Sequence, residues 1–460
     1  MQEATLEQVL SAREARAALQ QKLLNTYHCP LISFTMNIAG PVKTSPLIER
    51  AFETGLDELT KCLPAAKILF RHKTMEITGF EALLSVDMEA VALKKICTDI
   101  EDAAPLGRLF DMDVLEPDGH KLNRDIVKGG SRNCLVCGAP GRGCAARRLH
   151  SVAELQAVTN SIMKEHFITA DREHIADLAV QSLKDEVFTT PKPGLVDRRN
   201  NGSHTDMNLK LFLLSADTLK PYFTECVKIG QETNQLEASE TFPHLRQAGI
   251  KAEQDMFHAT EGVNTHKGAI YTLGVLCGAL GRLWTPEKPI SDANALLAEC
   301  AKMMAPHVEN DFAVLETLIP QLTDISPARL TSGQRLYLEH GLTGIRGEAA
   351  AGFPSVAHIA LPVYEKALQD GLTSNDAGTV TLLHLIARVS DTNLYHRGGT
   401  EGASFAANAA RSLLETTDYP PLEQMEALDD AFIARNLSPG GCADLLAVTY
   451  FLHTLTVESL

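Results

Sequence analysis

The sequence predicts a multidomain protein in which an N-terminal α/β or α+β domain precedes an all-α C-terminal domain. Its 460 residues exceed what one compact core usually holds. Strand and helix patterns alternate in the first third of the chain, whereas the pattern beyond is helical with Gly-rich loops. The charge changes as well: residues 1–170 contain 20 basic and 21 acidic residues, and residues 171–460 contain 22 and 37. This step indicates two units, which we place at residues 1–168 and 169–460.

The composition argues against several functional classes. A net charge of −16 disfavours nucleic acid and anionic membranes as partners. The N-terminus carries Glu3, Glu7 and Glu14 where a signal peptide would have an apolar core. No uninterrupted apolar stretch reaches the roughly 18 residues of a membrane span. Ten cysteines in 460 residues fit reduced thiols, so we expect a cytoplasmic enzyme with no nucleic-acid and no membrane partner.

In the first domain, the expected elements are helices over residues 5–27 and 81–98 and strands over residues 31–38 and 109–115. Thr5 and Gln8 have capping-box spacing at the start of the first helix. The last strand, LFDMDVL, alternates strictly, so Phe110, Met112 and Val114 share one face.

From about residue 150 the pattern becomes helical, with helices expected over residues 151–165 and 171–188, the latter with Ile175, Leu178, Ala179 and Leu183 facing inward. Further Ala/Leu-rich helices alternate with Gly-rich loops. The expected loops are residues 191–206, 260–268, 341–354, 396–402 and 438–441.

Asp111 and Asp113 are two apart on a predicted strand, so both carboxylates project from one face. Two neighbouring carboxylates repel and raise each other's pKa, and a divalent cation such as Mg²⁺ relieves this repulsion. Nucleotidyl-transfer enzymes hold metal over a triphosphate with such pairs, which favours a nucleotidyltransferase-like fold. The alternative is two solvated charges on an edge strand.

The segment from Arg108 to Arg148 is basic, with eight basic and five acidic residues in an otherwise acidic chain. Five of its six arginines would clamp a polyphosphate, and the alternative for each is a surface ion pair. These arginines are Arg108, Arg132, Arg142, Arg147 and Arg148.

Cys134, Cys137, Cys144 and His150 form the pattern C-x2-C-x6-C-x5-H. This spacing fits a closed, structural Cys3His zinc site. The alternative is three reduced cysteines beside a turn-rich loop.

Three segments of the first domain resemble the holo-acyl-carrier-protein synthase of citrate lyase, an apo-citrate lyase phosphoribosyl-dephospho-CoA transferase. They are SFTMNIAGPVKTSPLIERAFETGL (33–56), GRLFDMDVL (107–115) and SRNCLVCGAPGRGCAARRLHS (131–151). The resemblance implies that a Ser hydroxyl of the lyase carrier (γ) subunit attacks the α-phosphorus of triphosphoribosyl-dephospho-CoA and that pyrophosphate leaves. It implies that Asp111 and Asp113 hold Mg²⁺. It also implies four cationic residues for the pyrophosphate, Lys43, Arg108, Arg132 and Arg148.

In the second domain, residues 191–208 read PKPGLVDRRNNGSHTDMN. Asp197, Arg198, His204 and Asp206 crowd this stretch, and long loops dense in ionisable residues are more often functional than plain connections.

Residues 262–268 read GVNTHKG and precede an apolar helix. Asn264, Thr265, His266 and Lys267 at a helix N-terminus are typical of an anion site, and the alternative is a capped helix without a ligand. Three other loops repeat the theme of charged residues or caps among glycines. They are Gly344 to Glu348, His396 to Gly399 and Ser438 to Gly441.

Four segments of the second domain resemble triphosphoribosyl-dephospho-CoA synthase. They are EVFTTPKPGLVDRRNNGSHTDM (186–207), FPHLRQAGIKAEQDMFHATEGVNTHKGAIYTLG (242–274), GIRGEAAAGFPSV (344–356) and NLSPGGCADLLA (436–447), with Cys442 where a small residue such as Ser is expected. The resemblance implies that the ribose 2′-hydroxyl of 3′-dephospho-CoA attacks C1′ of the ATP ribose and that adenine leaves.

This chemistry needs a carboxylate near the reacting carbon, a general base, a proton donor for adenine and a clamp for the triphosphate with Mg²⁺. The candidate acidic residues are Asp197, Asp206, Glu253, Glu261 and Glu348. The candidate binding residues are Lys192, Arg198, His204, Asn264, His266, Lys267, Arg346 and Arg397. Two alternatives remain open: the equivalent enzyme pair for malonate decarboxylase, and a regulator that binds ATP without turnover.

Overall fold

A computed structural model of the chain describes residues 2–130, 132–139, 141, 144, 147, 149–288, 292–318 and 330–457. The chain divides into two compact units. The first unit comprises Met1–Ala170 with Pro286–Lys288, and the second comprises Asp171–Thr285 with Pro289–Leu460.

The first unit is an α+β fold around a four-stranded antiparallel sheet with the strand order β2-β3-β1-β4. The strands are β1 Leu31–Met36, β2 Ile68–Glu76, β3 Gly79–Val86 and β4 Phe110–Leu115. Ser33 on β1 lies opposite Leu83 on β3 and opposite Asp113 on β4. The sheet is therefore antiparallel throughout, so of the two expected classes the α+β class is confirmed and the α/β class is not.

In the described ranges for which bounds are given, three α-helices lie within the first unit, and a fourth begins there. They are α1 Leu6–Tyr27, α2 Pro46–Cys62, α3 Ala90–Ala103 and α4 Val152–Phe188. The capping box of Thr5 and Gln8 at the start of α1 is confirmed. Leu23 and Leu24 of α1 pack on Leu31 and Leu83 of the sheet.

The helix expected over residues 81–98 is wrong in its first half. Residues 79–86 form β3, and α3 begins only at Ala90. The local residues favour a helix, but β3 pairs with β1 on one side and β2 on the other. Ala82, Leu84 and Val86 are nearly or fully buried there, so pairing and burial decide the conformation against local propensity.

Non-strand groups satisfy the outer edge of β4, which is the last strand of the sheet. Arg132 Nη1 donates to the Phe110 carbonyl at 2.8 Å. At Met112, the carbonyl accepts from Lys94 Nζ at 3.1 Å and the N–H donates to Glu101 Oε1 at 2.8 Å. Residues of α3 and of the segment after β4 therefore cover this edge.

The second unit is all-α in its described residues, as expected. It contains the second part of α4 and twelve further α-helices in the described ranges. These are α5 Leu209–Thr218, α6 Lys220–Thr233, α7 Ala238–Ala259, α8 Lys267–Leu283, α9 Ala293–Leu318, α10 Ser332–His340, α11 Gly344–Ala350, α12 Leu361–Gln369, α13 Ser374–Arg388, α14 Thr392–Thr416, α15 Leu422–Ala434 and α16 Gly440–Val457. One short π-helical segment, Val356–Ala360, precedes α12.

One apolar core runs through the second unit and includes Ile175, Leu178 and Leu183 of α4, as predicted. Within the described residues, α16 alone is long and apolar enough to cross a membrane, with a mean hydropathy of 1.2. More than half of α16 is buried inside the protein, as in the core helix of a globular domain.

Three expectations for the helices differ from the structure. The loop expected over residues 341–354 contains a helix, α11 Gly344–Ala350. Residues 151–165 and 171–188 are not separate helices but belong to the continuous helix α4. Residues 396–402 are not a loop but lie inside α14, where Gly399 breaks the helical geometry with φ 62° and ψ −165°. Only a residue without a Cβ adopts this geometry readily, so the glycine pair allows a kink rather than a loop.

Candidate functional site

The aspartate pair of the first unit has the predicted arrangement. Phe110, Met112 and Val114 are buried on one face of β4, and Asp111 and Asp113 lie on the other. Burial raises the pKa of Asp111, and the neighbouring Asp113 raises it further. A cation at this position would relieve the repulsion between the two carboxylates.

Two cavities meet at Asp111. A cavity of 380 Å³ also contains Asp113, Lys121 and Arg132 in its wall. A cavity of 230 Å³ on the other side contains Lys43 together with arginines of α1. Lys121 Nζ lies 2.5 Å from Asp113 Oδ2. Asp111 is therefore shared by two cavities whose walls both contain cations, which suits the binding of a polyphosphate.

The four predicted cationic residues of the first unit have different surroundings. Burial first and Arg13 second lower the pKa of Lys43, whose ammonium donates to the Ile38 carbonyl. Arg132 Nη2 lies 2.8 Å from Glu101 Oε2. Arg108 donates to the Asn133 carbonyl at 2.5 Å and is absent from the walls of both cavities. Arg148, like Arg142, lies outside the described residues.

Sequence reasoning missed five cationic residues of these walls, Arg13, Arg16, Lys94, Lys121 and Arg124. They belong to no motif and come from α1, α3 and the segment after β4. Arg16 Nη1 lies 2.5 Å from Glu81 Oε1, so the α1 arginines are directed at the polar face of the sheet.

The four predicted zinc ligands converge. The ligand atoms of Cys134, Cys137, Cys144 and His150 all lie within 4.8 Å of one another. Cys137 Sγ is 3.4 Å from Cys144 Sγ and 3.3 Å from His150 Nε2. Sulfurs of a tetrahedral zinc site, with Zn–S bonds of about 2.3 Å, are about 3.8 Å apart. The donor set and its spacing therefore fit a structural zinc ion.

The second unit contains a cavity of 510 Å³, which we call the main cavity. Three helices present their N-terminal turns to it, α8, α14 and α16. The end of α4 and the loop of residues 189–208 complete the wall. The positive ends of three helix dipoles therefore face the cavity, which suits an anion.

Two buried aspartates hold these elements in place. Asp197 accepts the backbone N–H groups of Lys192, Arg199 and Asn200 at 2.7–3.1 Å. Asp391 accepts the N–H groups of Asn393 and Leu394 in α14 and of Cys442 in α16. The carboxylate of Asp197 therefore holds the loop and does not line the main cavity.

A buried ion pair lies in the wall of the main cavity. The ammonium of Lys192, predicted as a binding residue, contacts the carboxylate of Glu186 on α4. Burial raises the pKa of Glu186, and the Lys192 charge opposes this shift. Asp444 also lines the cavity, and burial first and Glu186 second raise its pKa well above the usual range.

Three of the predicted site residues, His204, Arg397 and Asp206, lie together in the wall of the main cavity. His204 Nε2 lies 2.9 Å from Ser438 Oγ, and Arg397 Nη2 lies 3.4 Å from His204 Nδ1. Burial and Arg397 lower the pKa of His204. The Asp206 side chain is 60% exposed and 4.0 Å from His204 Nδ1.

Asn264, His266 and Lys267 line the main cavity at the start of α8. The amide N–H of Lys267 donates to Asn264 Oδ1 at 3.3 Å. Lys267 Nζ pairs with Glu253 Oε2 at 2.8 Å. Burial and the Lys192 charge lower the pKa of His266 to about 3.

The other predicted residues lie outside the main cavity. Glu348 accepts from Ser355 Oγ at 2.6 Å in an adjoining cavity of 330 Å³. Arg346 pairs with Asp311 in a third cavity of 250 Å³, which Glu253 also lines. Arg198 Nη2 donates to Asn375 Oδ1 at 2.7 Å, and Glu261 is exposed after α7.

Two family models match the chain. One, described as ATP:dephospho-CoA triphosphoribosyl transferase (CitG), matches residues 172–459. The other, described as apo-citrate lyase phosphoribosyl-dephospho-CoA transferase (CitX), matches residues 4–166.

Relatives with both parts in one chain are similar over nearly the whole length. Protein CitXG of Haemophilus influenzae is 37% identical over 97% of this chain and 95% of its own. Protein CitXG of Leuconostoc mesenteroides subsp. cremoris is 33% identical over 98% and 97%. A 2-(5''-triphosphoribosyl)-3'-dephosphocoenzyme-A synthase of Pectobacterium atrosepticum is 40% identical over 66% of this chain and 96% of its own. The chain therefore belongs to the CitXG family, in which the CitX and CitG families are joined, and is a bifunctional transferase of citrate lyase prosthetic-group synthesis and attachment.

Proposed function

We propose that each unit carries one of the two activities. ATP and 3′-dephospho-CoA are the substrates of the CitG family, and we assign their reaction to residues 169–460. We assign transfer of the product to a Ser of the γ carrier subunit of apo-citrate lyase to residues 1–168. The family matches support this division: residues 4–166 fall within the first unit, and residues 172–459 fall within the second apart from Pro286–Lys288.

The composition of the main cavity is the observation that carries the synthase assignment. Three helix N-termini and Lys192, Lys267 and Arg397 surround a space of 510 Å³. Such a wall suits a triphosphate, because N-terminal dipoles and cations stabilise phosphate charge. Carboxylates lie in the same wall, where a glycosyl-type transfer needs them.

We assign the two proton transfers to Asp206 and Asp444, which face different surroundings. The exposed carboxylate of Asp206 accepts the proton of the dephospho-CoA 2′-hydroxyl as its oxygen bonds to C1′ of the ATP ribose. Asp444, which its surroundings keep protonated, gives its proton to the departing adenine as the C–N bond breaks. Environments that push two carboxyl pKa values apart are typical of acid/base pairs.

The other predicted residues receive supporting roles in this proposal. Lys192, Lys267, His204 and Arg397 bind the triphosphate with Asn264. Asp197, through three backbone N–H groups, keeps the loop closed over the site. Glu253 positions Lys267 through their ion pair. Glu348, Arg346 and Arg198 lie outside the main cavity and receive no direct role.

For the transferase we propose a nucleotidyltransferase-like site at the aspartate pair. Asp111 and Asp113 fit Mg²⁺, because both carboxylates lie on one face of β4 and their repulsion calls for a cation. Bound there, Mg²⁺ would neutralise phosphate charge. Lys43, Arg132 and Lys121 would stabilise the pyrophosphate as it leaves the α-phosphorus. Arg108 would act indirectly: its hydrogen bond to the Asn133 carbonyl would hold that segment in place.

We further propose a structural zinc ion at Cys134, Cys137, Cys144 and His150, supported by the convergence of the four donors. The ion would fix the segment that also carries Arg132. Thiolate ligands require a reducing environment, and this supports a cytoplasmic location.

The whole chain tests this proposal directly. With ATP, 3′-dephospho-CoA and Mg²⁺, it should release one adenine per molecule of coupled product, measured by chromatography and mass spectrometry. Purified apo-γ subunit added afterwards should gain the mass of the prosthetic group. ATP binding without adenine release would favour the regulator, and charging of a malonate decarboxylase carrier in place of the γ subunit would reassign the partner.

A further inference from the structure

A chain of three hydrogen-bonding side chains reaches the wall of the main cavity, and its middle member, Ser215, belongs to no sequence motif. We infer that Thr265 and Ser215 hold the His266 imidazole in the Nε2–H tautomer, and that this N–H donates to a phosphate oxygen of ATP. This inference rests on the proposed synthase function and deepens it. It makes His266 a substrate-binding donor and Ser215 a positioning residue.

The direction of the chain follows from its contacts. Thr265 Oγ1 donates to Ser215 Oγ at 2.7 Å. Ser215 Oγ lies 2.8 Å from His266 Nδ1. Since the Ser215 oxygen already accepts the Thr265 hydrogen, its own hydrogen is available for Nδ1. If His266 Nδ1 instead donated to Ser215 Oγ, the Ser215 hydroxyl hydrogen would have no acceptor among the described residues. The Ser215 side chain is fully buried, so this arrangement would be costly.

The tautomer follows from the direction. A neutral imidazole carries one hydrogen, and an Nδ1 that accepts a hydrogen bond leaves that hydrogen on Nε2. Phe212 packs edge-on against the ring with the ring centroids 4.9 Å apart, which limits its rotation. Contacts on two sides therefore fix the orientation of the imidazole.

The second ring nitrogen of His266, Nε2, has no hydrogen-bond partner within the described part of the chain. His266 is only 4% exposed, and its Nε2 makes no hydrogen bond within the described residues. Buried polar groups are nearly always hydrogen-bonded, so an unpaired nitrogen in a cavity wall indicates a ligand. The ligand atom must be an acceptor, because Nε2 carries the hydrogen.

The surroundings indicate a phosphate oxygen as this acceptor. His266 is the residue immediately before α8, whose N-terminal dipole favours an anion. Lys267 and Asn264 line the same wall, and the charge of Lys192 reaches the ring. The low pKa of His266 keeps the imidazole neutral, so it remains a hydrogen-bond donor and does not take up a proton during the reaction.

The first test is nitrogen NMR of the full-length protein labelled with 15N-histidine. The His266 signals are identified by their loss in His266→Gln. We expect Nδ1 in the unprotonated range and Nε2 in the N–H range. On addition of ATP alone, or of inorganic tripolyphosphate, the Nε2 signal should shift and Nδ1 should stay in its range. A protonated Nδ1, or an Nε2 that neither phosphate compound moves, would overturn the inference.

The second test separates binding from catalysis. His266→Gln should raise the KM for ATP by about 10- to 100-fold, the loss of one hydrogen bond to a charged group, with kcat changed much less. The KM for dephospho-CoA should stay constant. An exposed histidine of α7 provides the control, His258→Gln, with wild-type kinetics. A large loss of kcat at unchanged KM would contradict the binding role.

The third test addresses the chain of hydrogen-bonding side chains at its first member, Thr265. Thr265→Val keeps the side-chain shape but removes the donor to Ser215, so His266 should show both tautomers and a raised KM for ATP. Ser215→Ala should do the same, and Thr265→Val provides the answer if the buried Ser215 variant fails to fold. If His266 kept a single, unchanged tautomer in Thr265→Val, the proposed role of the hydrogen-bond chain would be refuted. Failure of the proposed function is distinguishable, because it appears as absent adenine release in the wild type, whereas the tautomer is read without turnover.

Discussion

Gly268 at the start of α8 lies directly against Asp444 of α16: a Cβ added at Gly268 would fall 1.9 Å from Asp444 Oδ2. Non-bonded carbon and oxygen atoms cannot approach this closely. The Asp444 carboxylate can therefore occupy its position only because residue 268 has no side chain. We therefore expect Gly268→Ala to displace the Asp444 carboxyl group and to lower the rate of adenine release by about 100-fold or more, the usual contribution of a general acid. Release is measured under saturating ATP and dephospho-CoA.

The matched control for this glycine is Gly333→Ala, because a Cβ at Gly333 meets nothing within 4 Å. This control should keep wild-type activity. Asp444→Asn should lose activity to a similar extent as Gly268→Ala while both variants remain folded by circular dichroism. Full activity in Gly268→Ala would remove Asp444 from the reaction.

The aspartate pair should serve only the transferase. We expect Asp111→Asn combined with Asp113→Asn to abolish charging of the γ carrier subunit, because the pair would no longer hold Mg²⁺. Adenine release should be intact. Asp57→Asn, an exposed substitution on α2, is the control and should charge the carrier normally. Carrier charging near the wild-type rate in the double variant would contradict a role of the two aspartates in holding Mg²⁺.

Zinc should co-purify with the protein at about one ion per chain, as expected for a closed four-ligand site. Cys134→Ser with Cys137→Ser should remove the ion, as measured by elemental analysis, and should lower the midpoint of thermal unfolding of the first unit. Cys62→Ser alters an exposed cysteine outside the cluster and should leave the zinc content unchanged. Protein free of zinc after metal-replete expression would return the cluster to reduced thiols.

The stability of the second unit should decrease in acid. His266 has a pKa of about 3 in the folded chain and about 6.5 when unfolded, so the unfolded chain binds more protons at intermediate pH. Its stabilising contribution is present above the unfolded pKa and is lost as the pH falls towards the folded one. The free energy of unfolding should therefore fall by about 1.4 kcal/mol per pH unit below pH of about 6 on account of this group.

Urea unfolding at several pH values measures this slope. His266→Gln should reduce it by about that amount, whereas His258→Gln should keep the wild-type slope. Equal slopes in all three proteins would mean that His266 is protonated in the folded state.

The two halves should work apart. Residues 171–460 alone should release adenine, because Ile175 and Leu183 keep the start of this fragment attached to its own core. Residues 1–170 alone should charge the carrier when given the purified product, since Met163 and Phe167 remain buried in the first unit. Folded fragments that are inactive until mixed would show that the active sites need both halves.

Local pattern was sufficient where neighbours in the chain decide the structure. The capping box of Thr5 and the alternation of β4 were correctly predicted, because both depend on spacings of two or three residues. The convergence of the cysteines followed from a short spacing as well. In β3 the same kind of reasoning failed, because pairing with two other strands overrode the helix-forming residues.

Contacts between distant segments could not be predicted from one sequence. Glu186, Ser215 and Asp444 lie far apart in the chain but line or support one cavity. Asp444 belongs to the first turns of α16, and in the structure it lies against Gly268 at the start of α8. Conversely, Asp197 and Arg346 were predicted as site residues from Gly-rich segments. In the structure, Asp197 accepts hydrogen bonds from loop amides, and Arg346 pairs with Asp311.

The covered edge of β4 has a consequence for the behaviour of the protein in a crowded cell. An open strand edge invites a strand from another molecule, and this is a common start of aggregation. In β4, Arg132, Lys94 and Glu101 occupy backbone groups that a foreign strand would use. The strand can thus carry its aspartates at the margin of the sheet without offering that margin as a template for misassembly.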